Sequence, residues 1–278
     1  MSKKGGCMGA SKKVLTIAGS DSLAGGGLQA DLATFAEAGL AGFSAITSIV
    51  SIQPSNVAVF PVPDEVFDQQ LNSLSQVKDF AAIKVGMLTS VKQLDRVVAF
   101  LQDYAGPIVV DPVLALKEGH LAENKALVQE YLDRLLPLAT VTTPNLNEGL
   151  ALAERASALA KTSSDLAKLA QEISQRGQTA VFLKGGQGFV DEKALDVLAA
   201  SGQISYLAQA ALGEDAFVNG AGCTLAAAIT AKLALGENLQ QAVEQSQFFV
   251  HQSIQQGYRL NDSRTDGNVF QIGAKWSK

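Results

Sequence analysis

Cysteine is nearly absent from this chain: among 278 residues there are two cysteines, two histidines, three methionines and one tryptophan. Cys7 and Cys223 lie far apart in unlike surroundings, which argues against a disulfide framework or a cysteine-rich metal site and favours a reducing cytoplasm. His120 and His251 show no metal-ligand spacing and read as surface or loop residues. An excess of basic charge is also missing. The formal net charge is −5, with only the short pairs Lys3-Lys4 and Lys12-Lys13 standing against it, so a nucleic-acid surface is not expected. No uninterrupted apolar run is long enough to span a bilayer, and residues 1–11, small and polar, read as a mobile tail. Neither a G-x-S-x-G elbow nor a G-x-x-x-x-G-K-[ST] loop occurs, which removes the usual hydrolase nucleophile and the Walker-type phosphate loop.

What is present is an ordinary globular composition, 47% apolar and 18% charged, sufficient for a large core. Short apolar runs at Val14–Ala18, Ser44–Ile52, Ala81–Val85, Pro107–Val110, Thr140–Thr142 and Ala180–Leu183 read as buried parallel strands. Helical spacing separates them at Leu28–Ala38, Asp64–Val77, Val91–Tyr104, Lys125–Leu136 and Ser163–Arg176, with Asp64 and Ser163 as expected N-caps. Ala194–Leu198 and Gln203–Leu207 flank Ser201-Gly202 and predict a hairpin at the sheet edge. The alternation implies a three-layer α/β/α sandwich on a mostly parallel sheet, and no linker divides residues 12–278, which are expected to form one domain. In such sheets the ligand site lies beyond the carboxyl ends of the strands.

The residues that can carry chemistry fall at that edge. Asn219-Gly220-Ala221-Gly222-Cys223-Thr224-Leu225 runs into the alanine-rich segment Ala226–Leu235; its glycines permit positive φ, and the first helical N–H groups suit an anion. The same partial positive charge is expected to depress the Cys223 thiol pKa. A tight N-cap with a small buried cysteine is the alternative reading. Gly19-Ser20-Asp21-Ser22 before Gly25-Gly26-Gly27 departs from a dinucleotide fingerprint and reads as a polar substrate pocket, with Asp21 an acceptor for a ligand hydroxyl. Val110-Asp111-Pro112 sets a carboxylate at the edge. Asn145 and Glu148, three apart, either offer oxygen ligands to hydrated Mg²⁺ or cap a helix start. Lys184-Gly185-Gly186 and Lys84-Val85-Gly86-Met87-Leu88 close two further strands with cations. Together these parts suit phosphoryl transfer.

As an ordered set, Leu15-Thr16-Ile17-Ala18-Gly19-Ser20-Asp21-Ser22, Gln29-Ala30-Asp31-Leu32, Val85-Gly86-Met87-Leu88, Val110-Asp111-Pro112-Val113, Thr143-Pro144-Asn145-Leu146, Lys184-Gly185-Gly186 and Gly220-Ala221-Gly222-Cys223-Thr224 are similar to the ribokinase-like superfamily. Within it the chain resembles the branch of hydroxymethylpyrimidine/phosphomethylpyrimidine kinases and Gram-positive pyridoxal kinases, over residues 13 to about 260. The resemblance implies an ATP- and Mg²⁺-dependent kinase for a hydroxymethyl group on a small heteroaromatic ring. It assigns Gly220, Ala221 and Gly222 to an anion hole and Cys223 to the catalytic-base position. Asn145, Asp111, Lys184, Gly185 and Thr224 would meet nucleotide phosphates, and Glu148 with Asp111 the metal. Gly19, Asp21, Ile52, Lys84, Gly86 and Met87 would border the acceptor ring. The residues flanking adenine are expected between Gln209 and Phe217 and in the last helices.

Pyrimidine kinases of this branch carry a glutamine where this chain has Ile52, unless the alignment slips to Gln53. Gly-Ala-Gly-Cys likewise is similar to the pyridoxal kinase group, so pyridoxal phosphorylation is the expectation and the pyrimidine kinase the alternative. Asn219 replaces a histidine common in the family, and the segment Leu114–Asn124, a lid with Gly119, lacks the lid cysteine of Gram-positive pyridoxal kinases. The family further implies a homodimer. A vitamin- or nucleotide-binding relative without turnover, and a dinucleotide-dependent oxidoreductase, are the readings from other classes.

Overall fold

The computed structural model of the protein describes residues 11–53, 56–114, 125–155, 160–213, 215–262 and 266–277. Cys7, His120 and nearly all of the lid segment lie outside the described residues. The chain runs β1 (Lys13–Asp21), α1 (Gly27–Glu37), β2 (Ala41–Gln53), β3 (Asn56–Pro61), α2 (Asp64–Ser75), β4 (Phe80–Val85), α3 (Val91–Leu101) and β5 (Ile108–Val110). It continues with α4 (Lys125–Glu130), β6 (Val141–Thr142), α5 (Leu146–Leu152), α6 (Ser163–Gly177), β7 (Ala180–Val190), β8 (Lys193–Ala200) and β9 (Gln203–Ala210). Helices α7 (Ala221–Leu235) and α8 (Leu239–Gln255) and a small ribbon, β10 (Tyr258–Arg259) with β11 (Gly267–Asn268), complete it.

Among the described residues the main sheet has nine strands in the order β3-β2-β1-β4-β5-β6-β7-β8-β9. Pairing is parallel from β2 through β7, and antiparallel at β3 on one edge and at the β7-β8-β9 meander on the other. The expected hairpin is β8-β9. Both faces of the sheet are covered, because alternate residues of each central strand are apolar on opposite sides. Leu15, Ile17, Ile83, Val85, Val110 and Leu183 face the core shared with α2, α3 and α6. Val14, Ala82, Val109, Val141 and Phe182 face α1, α7 and α8. Each fully buried side chain of this size contributes about 1.5–3 kcal/mol, so it is this double alternation that makes three layers rather than two.

Helix α7 has buried residues on all sides, and its run of alanines lets it lie close to the sheet between α1 and α8. Its N-terminus is thereby fixed at the carboxyl edge.

Several local expectations are corrected. Pro63, not Asp64, occupies the N-cap of α2, and Asp64 is the first helical residue, where its charge suits the helix N-terminus. Thr162, not Ser163, caps α6, because Asp165 three residues on closes a reciprocal capping box with it. The helix expected over Lys125–Leu136 changes at Tyr131 into a π-turn over Tyr131–Leu135 and then a 3₁₀ turn over Leu136–Leu138, which carries Pro137. Strand β3 was not expected from the pattern.

Candidate active site

A cleft opens where β1, β2, β4 and β5 end. Gly19 and Asp21 come from the end of β1, where the register with β2 shifts between Ala18 and Ser20. Val50 and Ile52 come from β2, Lys84 from β4, Gly86 and Met87 from the following loop, and Cys223 lies at the base. Ile52 lines the cleft, while Gln53 is exposed and pairs with Asn56 at the strand end.

Asp21 is spent on its own loop. Its Oδ1 accepts from the Leu23 N–H at 2.9 Å, and its Oδ2 from Gly25 at 3.0 Å and Gly26 at 2.9 Å. The expected ligand acceptor is therefore first a loop organiser, an Asx-type turn that shapes residues 21–27.

On the neighbouring side, α7 begins. Gly220 is its N-cap at φ +87°, and no side chain caps the helix. The Ala221 N–H donates to Val218 O at 3.1 Å and the Thr224 N–H to Gly220 O at 2.8 Å, so the donors left at the start of the helix are the N–H groups of Gly222 and Cys223. Positive φ holds at Gly220 alone of the two loop glycines; Gly222 is already helical, and its hydrogen stands where a Cβ would come within 3.3 Å of Lys184 Nζ. Lys184 Nζ donates to Asp111 Oδ1 at 3.1 Å, and Thr143 Oγ1 donates to the same oxygen at 3.0 Å. Burial works against the Lys184 ammonium, but the carboxylates of Asp111 and Glu148 outweigh it and raise its pKa. A charged lysine and a helix N-terminus therefore converge on one point.

Asn145 and Glu148 form a capping box: Asn145 Oδ1 accepts from Glu148 N–H at 2.9 Å, and Glu148 Oε2 accepts from Asn145 N–H at 2.8 Å. Capping does not use the whole of Glu148. Its carboxyl is pushed up to about 7, first by burial and then by the nearby Asp111 charge, against Lys184 and backbone donors. Two carboxylates held this way, without a third ligand side chain among the described residues, fit hydrated Mg²⁺, which keeps most of its waters and takes one or two carboxylates plus phosphate oxygens.

The raised pKa has a sign. Folding favours the protonated form of Glu148, so its favourable contribution is complete below the ordinary value of 4.5 and is lost as pH rises through about 7. In a chelator and without nucleotide, Glu148→Gln should gain about 2–3 kcal/mol on the native protein between pH 5 and pH 8. Urea unfolding at the two pH values measures it; equal stability differences would refute the shift.

Two expected phosphate contacts have partners within the fold. The Gly185 N–H donates to Asp196 Oδ1 at 3.1 Å, and the fully buried Thr224 hydroxyl accepts from Gln271 Nε2 at 2.9 Å while its N–H bonds Gly220 O. Both serve the scaffold. The Cys223 thiol is also not depressed: burial pushes it up to about 11, with Lys84 and the Gly27 N–H, 3.3 Å from Sγ, opposing and Asp31 and Asp111 adding. Burial is the largest of these effects.

Beneath the cleft lies a group whose role the sequence did not disclose. Asp31 of α1 is fully buried and binds Lys84 Nζ through both oxygens at 2.6 and 2.7 Å, and Thr16 Oγ1 donates to it at 2.6 Å. Burial pulls the Lys84 pKa down, but the Asp31 carboxylate, then Cys223 and Asp111, raise it overall, so the ammonium is retained. The available signal was an acid inside an apolar helical run facing a lysine inside an apolar strand. A second cavity adjoins the anion end. Gln209, Leu212, Gly213 and Ala216 line it together with Gln247 and His251 of α8, in the region expected to flank adenine. Asp196, whose carboxyl burial raises, and which accepts from Gln247 Nε2 at 2.8 Å, was not foreseen there. His251 is helical, with Nε2 3.1 Å from Ala210 O.

The phosphomethylpyrimidine kinase family signature matches residues 21–268. A putative pyridoxine kinase of Staphylococcus epidermidis is 39% identical over 254 residues, covering 90% of this chain and 91% of the relative. A hydroxymethylpyrimidine/phosphomethylpyrimidine kinase of Haemophilus influenzae is 36% identical over 248 residues, covering 87% and 91%. The structure of the Staphylococcus aureus pyridoxal kinase in complex with AMP-PCP and pyridoxal superposes with a TM-score of 0.86 at 37% identity, covering 96% of this chain and 95% of that one. The dinucleotide-dependent reading is set aside by these matches, and the chain belongs to the phosphomethylpyrimidine kinase family, in the ribokinase-like branch that includes the pyridoxal kinases of Gram-positive bacteria.

Proposed function

We propose that the protein transfers the γ-phosphoryl group of ATP, with Mg²⁺, to the 5′-hydroxymethyl group of pyridoxal, and of pyridoxine and pyridoxamine. The observation that carries the choice of substrate is Ile52 in the wall of the ring cleft with Gln53 turned out of it. An aminopyrimidine would bury its amino and ring nitrogens against an aliphatic wall, and unpaired buried polar groups cost about 1–3 kcal/mol each. A 36% identical pyrimidine kinase keeps that substrate class as the second reading.

In this reading Gly19, Ile52, Gly86 and Met87 hold the ring, and the loop organised by Asp21 closes over it. The N–H groups at the start of α7, those of Gly222 and Cys223 in the loop of Gly220, Ala221 and Gly222, together with Lys184, receive the negative charge of the phosphoryl oxygens as it spreads in the transition state, while the Ala221 N–H is held by Val218 O. Asp111 and Glu148 would hold Mg²⁺ with the nucleotide, where it would neutralise further phosphate charge. A thiol with a pKa near 11 carries its proton at neutral pH, so Cys223 acts by directing the acceptor hydroxyl and relaying its proton late. That suits a loose transition state, which asks little of a base. The cavity bearing Gln209 and Gln247 takes the adenine. The scarcity of cysteine supports a cytoplasmic site of action, and the family resemblance supports a homodimer.

The test is ATP- and Mg²⁺-dependent turnover of pyridoxal, pyridoxine and hydroxymethylpyrimidine side by side. We expect pyridoxal to be preferred by at least about tenfold in kcat/KM, Cys223→Ala to abolish most turnover, and Ile52→Gln to narrow the preference. A preferred pyrimidine would make this a kinase of the second reading. Retained ligand affinity with no turnover in the native protein would make it a binding protein.

A further inference from the structure

The ribbon that ends the fold reaches the active site through one side chain. Asn268 in β11 is 1% exposed, and its Nδ2 donates to Leu23 O at 2.8 Å and to Tyr258 Oη at 3.2 Å. Leu23 O can only accept, which fixes the orientation of the amide. Asn268 Oδ1, on the other side, is buried without a hydrogen-bond partner among the described residues and faces Gly25, where an added Cβ would lie 2.9 Å away. A second link runs through the backbone. Asn219 N–H donates to Gly267 O and Val269 N–H to Asn219 O, both at 3.1 Å, tying the ribbon to the residue before Gly220. The two glycine loops meet directly, since a Cβ on Gly220 would sit 1.6 Å from Gly25 O.

Asn268 therefore stands where the acceptor-binding loop, the start of α7 and the ribbon come together. The loop it grips supplies Asp21, Gly26 and Gly27 to the ring cleft, and the Gly27 N–H bonds the Cys223 sulfur. A displacement of Leu23 is passed along this short chain to the thiol. Accepting an orphaned carbonyl oxygen inside the protein is costly and is tolerated where the group is held for position.

We propose that Asn268 is a positioning residue for the acceptor substrate, fixing loop 21–27 against the N-terminus of α7 and so setting the distance between the ring cleft and Cys223. The inference rests on the kinase reading above for its kinetic arm alone. Asn268→Leu approximates the shape and removes both polar atoms. KM for pyridoxal should rise about tenfold while KM for ATP stays within about twofold. Amide exchange in a peptide covering residues 21–27 should quicken about tenfold, with exchange in α7 unchanged. Gly25→Ala, whose backbone needs no positive φ, disturbs the same contact from the loop side and should reproduce both effects; it decides the matter if Asn268→Leu does not fold. Unchanged exchange in residues 21–27 overturns the proposal. So does a uniform loss of protection with equal rises in both KM values, the mark of a residue that only supports the fold. A native protein that phosphorylates none of the candidates would refute the kinase reading, and the exchange measurement would still decide the clamp.

Discussion

Replacement of Gly220 by alanine should lower kcat by about 10²–10³-fold and reduce thermal stability at the same time. Two independent causes act at this residue. At φ +87° an L side chain is strained by about 1–3 kcal/mol, and its Cβ would fall 1.6 Å from the Gly25 carbonyl oxygen, a backbone atom that cannot step aside alone. Relief requires the loop over residues 21–27 and the N-terminus of α7 to separate, which displaces the donors that the proposed mechanism sets against the phosphoryl group. Gly222→Ala is the matched control. That residue is helical, and its Cβ would meet only the end of the Lys184 side chain, at 3.3 Å. We expect a loss of about tenfold in kcat from the moved ammonium, with the melting temperature unchanged. Steady-state kinetics and thermal unfolding of the two variants check this; equal effects would refute the distinction.

The Asp31–Lys84 pair gives the largest expected change in stability. Asp31→Asn leaves an ammonium at 0% exposure without its carboxylate partner, and breaking a buried pair from one side costs about 3–5 kcal/mol. Removing both charges, as in Asp31→Leu with Lys84→Met, should recover most of that loss, because a buried pair is only weakly stabilising against apolar residues of similar volume. Turnover should not recover. Lys84 lines the ring cleft and its charge acts on Cys223, so a stable but slow double variant would show that the pair is kept for the site. Urea unfolding and turnover of the single and double variants separate the two contributions. A double variant as unstable as the single one would refute the argument.

The element order was legible because each central strand and each long helix has its own local periodicity. Strand β3, with Pro61 at its end and its residues exposed or half-exposed, has no such signature; it exists because β2 extends far enough to offer an edge. The N-cap of α6 was misread by one residue for a local reason, since Thr162, Ser163 and Ser164 are all competent caps and only the position of Asp165 selects the first. The site followed the same division. Gly220, Asp111 and Glu148 could be named because each closes a strand or opens a helix, positions that the periodicity marks, while Lys184 lies inside β7, which runs on to Val190 beyond the apolar run that marked its start. Asp31 stood in a recognisable stretch, yet its meaning depends on Lys84, 53 residues away. Asn268 was invisible for the same reason, with its acceptor Leu23 245 residues distant.

The sequence by itself determined the layered fold, the edge at which chemistry collects and the kinds of group gathered there, since these follow from spacing along the chain and from the reach of small residues. The tertiary structure alone decided which groups remain free to meet a ligand. Asp21, Gly185 and Thr224 bond to neighbouring groups of the fold, Ile52 lines the cleft while Gln53 is exposed, and burial raises the Cys223 thiol. Hydrogen-bond partners and desolvation arise from contacts between distant segments, and a linear pattern carries neither.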